Sequence, residues 1–116
     1  MLTILMVMMA ADYLTGWIVA WCGRSDKTEN GGLSSKIGFV GIAKKGLIML
    51  IVLVATLLDR AIGNTAMMFQ SMCVCYYIAN EGLSLLENAG ALGVPFPARI
   101  REALESLRER EKQKRE

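Results

Sequence analysis

Four acids, Asp12, Asp59, Glu81 and Glu87, stand in or beside long apolar runs and offer the most chemistry in the chain. A carboxylate at the centre of a membrane helix costs roughly 2.5–3.5 kcal/mol on insertion scales, so such a group normally faces protein or water. Asp12 aligns with Gly16 and Ala20 at i, i+4 and i+8, with Thr15 beside them at i+3. Small residues on that face let another helix approach closely while Asp12 and Thr15 find hydrogen-bond partners. The plainer alternative is that Asp12 caps or pairs locally within one subunit. Glu81, Ser84 and Asn88 align at i, i+3 and i+7, and Asn80, Ser84 and Glu87 at i, i+4 and i+7. That wide polar stripe is costly against lipid and inexpensive against an aqueous lumen or a partner helix. Solvation at the membrane interface is the competing account, stronger for Glu87 than for Glu81.

None of these acids has a nucleophile, a metal set or a phosphate loop beside it, so neither catalysis nor a cofactor is read here. The chain has no His, which removes the commonest general base and the commonest metal ligand. Cys73-x-Cys75 lies in an apolar helical stretch where i,i+2 side chains point apart, so Cys22, Cys73 and Cys75 read as small packed or lipid-facing hydrophobes. Gly31-Gly32 and Gly38-x-x-Gly41 are turn or packing features, and Ser34-Ser35 before Lys36 is a helix start. A net charge of +2, concentrated near the tail, argues against nucleic-acid binding.

The elements that must position the acids follow from how the charge is distributed. The 116 residues are long enough for one modest core, but 53% are hydrophobic. Of the 24 charged residues, 12 lie in Arg99–Glu116 and 7 between Arg24 and Lys45. Apolar runs separated by charged islands are the pattern of an integral membrane protein. The first run, about 1–23, rises about 34 Å as a helix, enough to cross a bilayer. Trp17 and Trp21 suit an interfacial belt, and no Lys or Arg precedes Arg24, so the run does not read as a cleaved signal peptide. The second run, about 46–63, has the purest apolar core, with Lys44 and Lys45 snorkelling at one end and Asp59-Arg60 near the other. The third, about 65–86, ends in the polar series that holds Glu81.

The expected fold is all-α: an integral membrane protein with three predicted transmembrane helices over 1–97 and a charged C-terminal cytoplasmic helix over 98–116. The loop Arg24–Lys45 carries 5 basic residues, the second connection 1 and the tail 7. Three spans put the loop and the tail on one side, and the positive-inside rule makes that side cytoplasmic, with the N-terminus outside. Gly93, Pro95 and Pro97 break the chain before the tail. In the tail, Ile100, Ala103, Leu104 and Leu107 form a narrow apolar stripe, and Glu105/Arg108 and Glu109/Lys112 are spaced to pair. The mixed charges read as a solvated face.

Several segments, in order and over nearly the whole chain, resemble the small phage-lysis and toxin-secretion holins. They are Asp12-Tyr13-Leu14-Thr15-Gly16; Ser34-Ser35-Lys36-x-Gly38-x-x-Gly41-Ile42-x-Lys44-Lys45; the isolated Asp59; Tyr77-Ile78-Ala79-Asn80-Glu81-Gly82-x-Ser84-x-x-Glu87-Asn88; and Gly93-x-Pro95-x-Pro97. Each is weak alone, and together they are fairly specific. Members of that family usually carry a further weakly hydrophobic or amphipathic segment before the first of these. This sequence starts inside that span, so the resemblance implies a short variant or a start farther upstream.

The resemblance implies a non-enzymatic protein of the bacterial cytoplasmic membrane. It would accumulate as inert homo-oligomers and, at a set time, form holes that let an endolysin reach the cell wall or a toxin leave the cell. Endolysin or toxin would then be a functional partner without stable contact. Asp12, Thr15, Gly16, Ala20, Asp59, Asn80, Glu81, Ser84, Glu87 and Asn88 are the residues expected to pack the oligomer or line its lumen. Two other classes compete: a small oligomeric ion channel or transporter subunit, and a membrane-anchored adaptor acting through the tail helix.

Overall fold

The structure is a computed structural model that describes residues 1–23 and 35–115, all of the regular structure being helical. Arg24, Lys27, Gly31-Gly32 and Ser34, used above for the loop, lie outside the described residues. Helix α1 is Leu2–Trp21, α2 is Ser35–Ala61, α3 is Met68–Ala91 and α4 is Ala98–Arg115. Of the four, α1 and α2 are long and apolar enough to cross a membrane. The sequence led us to expect three such helices. Helix α3 falls short because Asn80, Glu81, Ser84, Glu87 and Asn88 crowd its second half.

Helix α2 starts at Ser35, where the sequence read a helix start, and runs unbroken into the apolar run expected from about Gly46. Gly38 and Gly41, read from the sequence as turn or packing features, serve as a packing surface. A Cβ on Gly38 would come within 3.0 Å of the Trp17 ring, and one on Gly41 within 3.4 Å of the Tyr13 ring. The missing side chains let α1 lay these two aromatics against α2, with the Tyr13 hydroxyl donating to the Gly38 carbonyl at 3.1 Å. Tyr13 and Trp17 meet edge to face, their centroids 6.1 Å apart. Tertiary contact here overrides the weak helix propensity of glycine.

Helix α3 is the centre of the fold, packed against each of the other three, and α4 approaches α3 alone. Contacts along the helices set their directions. Met8 meets Gly82, and Asn88 reaches Asp12 and Thr15, so α1 runs parallel to α3. Lys45 meets Glu81 and Thr56 meets Gln70, so α2 runs antiparallel to it. Beyond Gly93, Pro95 and Pro97 the chain reverses and α4 returns along α3, Leu104 seated over Gly82. Arg108 comes within 4.0 Å of its neighbour Glu109 rather than a residue one turn away.

The apolar core is small: Leu5, Met9, Val52 and Val74, with Ile48, Met49, Cys73, Tyr77 and Ile78 packed against it. Most large apolar side chains point outward instead. On α1 and α2 these include Leu14, Ile18, Leu47, Leu53, Val54 and Leu57, with Trp21 79% and Phe39 74% exposed. Contiguous apolar surface on that scale requires a non-aqueous neighbour. Eleven of the 24 charged residues lie along α4, which packs against α3.

Candidate functional site

Halfway along the bundle α1, α2 and α3 each contribute an ionisable side chain to one point. The Lys45 ammonium donates to Asp12 Oδ2 and to Glu81 Oε2, both at 2.9 Å. Asp12 and Glu81 are only 6% and 4% exposed, so water does little to stabilise either carboxylate. A buried charge is tolerated when it is paired and its remaining lone pairs are hydrogen-bonded. Asn88 supplies much of the rest: its side-chain amide donates to Asp12 Oδ1 at 3.1 Å, to the Asp12 carbonyl at 3.2 Å and to Thr15 Oγ1 at 2.8 Å. Thr15 itself donates to the Ala11 carbonyl at 2.8 Å, and the Ser84 side chain stands beside the Asp12 carboxylate.

Six of the ten residues singled out from the sequence therefore meet here: Asp12, Thr15, Gly16, Glu81, Ser84 and Asn88. Gly16 takes part by being small, since a Cβ there would already stand 3.9 Å from the Asn88 amide. Ala20 lies farther along α1, and Asn80 and Glu87 turn away from the cluster, Glu87 being exposed.

Asp59 is elsewhere and has a different task. Its carboxylate accepts the backbone N–H of Phe69 at 3.0 Å and of Gln70 at 2.8 Å, capping the first turn of α3. Asn64 donates to the same group at 3.1 Å, and Gln70 in turn donates to Thr56 at 2.7 Å. The joint also carries Gly63 at φ +71° and Met67 at φ +53°, the latter a left-handed conformation unusual for a side chain of that size. The cap holds that turn in place.

Lys45 is the functional residue that sequence reasoning missed, because the second span was taken to begin after it. A signal was available. Lys45, Val52 and Asp59 are spaced i, i+7 and i+14, and Val52 and Asp59 are the buried face of α2. Lys44, one position away, is exposed.

A family model described as the bacteriophage holin family matches residues 1–109. An uncharacterised protein of Clostridium perfringens is 47% identical over 103 residues, 89% of this chain and 71% of that relative. A probable holin of Bacillus phage phi105 is 34% identical over 116 residues, 99% of this chain and 79% of the relative. An uncharacterised Bacillus subtilis protein is 33% identical over 113 residues, 97% and 74% of the two chains. No solved structure matches. A whole-length family match and a phage relative at this level agree with the motifs read from the residues: this chain belongs to the bacteriophage holin family.

Proposed function

We propose that this protein is a phage-type holin that gathers in the bacterial cytoplasmic membrane and forms timed holes, through which an endolysin reaches the cell wall or a toxin leaves. The observation that carries the reading is the two-sidedness of the subunit. The outer faces of α1 and α2 are mainly apolar, broken on α2 by Lys36, Lys44 and Arg60, while α4 lays a mixed-charge surface along α3. Hydrocarbon suits the first side and excludes the second. A lone subunit has nowhere in the bilayer to put charges alongside α3. Gathered subunits can turn those sides toward one another and enclose water, leaving α1 and α2 against lipid.

Helix α3 crosses as the third span in this reading, sheltered by its neighbours. Its two most costly groups, Glu81 and Asn88, are occupied by Lys45 and Asp12. The Lys/Arg count then favours the cytoplasm for the connection from Arg24 to the start of α2 and for the C-terminal segment, with Met1 outside. The inert form keeps the acids inside each subunit. In the hole Asp12, Glu81 and the polar stripe of α3 meet water or neighbouring copies.

The test is inducible expression in a bacterial host with and without a cytosolic endolysin, following turbidity and release of a cytosolic reporter protein. Normal growth, then an abrupt stop with lysis only when endolysin is present, supports the holin. Steady growth with selective ion flux and no reporter release would replace it with the channel reading. Loss of activity on deletion of α4, with span variants harmless, would favour the adaptor.

A further inference from the structure

The cluster joins two acids, from two helices, to one cation on a third, and that asymmetry assigns a role to Lys45. We propose that Lys45 is the positioning residue that keeps Asp12 and Glu81 inside one subunit, and that its withdrawal from them is the step that commits a subunit to hole formation. The inference rests on the holin reading above and names its controlling group.

The helices α1 and α2 approach each other least among the packed pairs, touching through the aromatic face at Gly38 and through Lys45. Among the described residues, Lys45 alone holds a side chain of α1 and a side chain of α3 at 2.9 Å from one atom of α2. Without it Asp12 and Glu81 are left facing each other, each 2.9 Å from where the ammonium stood, in a place that water hardly reaches. Like charges at that separation repel, and an unpaired buried carboxylate is strongly unfavourable. Hydrocarbon offers no substitute partner. The replacements available are water and the same polar faces on other copies, and reaching either requires α1 and α3 to separate. The ion cluster therefore favours the self-contained subunit, and its rupture favours association. Asn88 does not do the same work, because it binds Asp12 from α3 and leaves α2 out.

The experiment measures trigger time in cells that co-express endolysin, at matched membrane levels of each variant. Lys45→Gln is expected to shorten that time roughly two-fold or more, since it leaves both carboxylates uncompensated. Lys45→Arg keeps the charge and should stay near the wild-type time. Adding Asp12→Asn and Glu81→Gln to Lys45→Gln removes the unpaired charges and should restore the delay, which a purely steric role of Lys45 would not allow. Should Lys45→Gln fail to accumulate, the exchange Lys45→Glu with Asp12→Lys and Glu81→Gln decides, and should trigger at the wild-type time. Unchanged or longer delay in Lys45→Gln, or no recovery in the neutralised or exchanged variant, overturns the assignment. Absence of lysis by the wild-type chain in the same assay would instead defeat the holin reading itself.

Discussion

Asp59, at the joint between α2 and α3, and Asp12, in the middle of α1, are both buried carboxylates, and the chain satisfies them by different means. Asp59 is served by groups within eleven positions of it: the Asn64 amide and the N–H groups of Phe69 and Gln70. Asp12 is served from 33 and 76 positions away, by Lys45 and Asn88. A local cap forms with the turn and closes little loop. A long-range ion pair exists only while three helices stay together. The first is a device for making the fold, and the second is a contact that can be given up without unfolding any helix.

Glu81→Lys is the harshest way to break that contrast. It sets a second cation against Lys45 in a nearly dry site, and disrupting a buried pair in this way costs about 3–5 kcal/mol. We expect separation of α1 and α3 with helix content retained, read as faster backbone amide exchange around Asp12 and Asn88 but unchanged circular dichroism in detergent. Loss of helix content would show that the two acid sites are energetically one.

Asp59→Ala comes next. It removes the acceptor for two helix N–H groups, about 1–2 kcal/mol for a cap of this kind, while the left-handed Met67 loses its restraint. The expected result is a lower melting temperature and reduced membrane accumulation, with trigger time unaltered once levels are matched. Asp59→Asn keeps one acceptor oxygen and should recover most of the loss. A shortened trigger time in Asp59→Ala at matched level would place this joint in the same switch as Lys45.

A smaller effect is expected at Gly82, where α1 and α4 meet the same point of α3. A Cβ there would stand 3.0 Å from both Met8 Cε and Leu104 Cδ1, both ends of flexible side chains. Gly82→Ala should cost about 1 kcal/mol of packing and loosen α4, seen as earlier proteolysis near Arg108 and Arg110. Leu104→Ala in the same chain should relieve the crowding. If proteolysis of α4 is as fast in the wild type, the contact contributes little to holding the tail helix.

These sites also show what the residues disclosed beforehand. The helical order, the break at Gly93–Pro97 and the polar face Glu81/Ser84/Asn88 were legible because they depend on neighbours one to seven positions apart. The continuity of α2 from its start at Ser35 into the apolar run was not, because Gly38-x-x-Gly41 gains its packing only with Tyr13 and Trp17 laid against it. Likewise Asp12 announced itself by its energetic cost, but nothing near it in sequence named its partner. The return of α4 along α3 was hidden for the same reason: its charges signal water, and only the pairing of Gly82 with Leu104 says where that water must be.

The smallest effect expected is also the sharpest test of the comparison. Lys44 and Lys45 share composition, neighbours and distance from the apolar stretch of α2, yet successive helical residues are turned by about 100°. Lys44 falls outward and is exposed, whereas Lys45 falls on the face that carries Val52 and Asp59. An exposed lysine at a helix surface contributes little to stability. Lys44→Gln should therefore leave both melting temperature and trigger time at wild-type values, in contrast to Lys45→Gln. Any general effect of positive charge on membrane insertion or orientation would act on both lysines alike, so equal responses would attribute the change to positive charge at this point of α2. Unequal responses attribute it to the ion cluster.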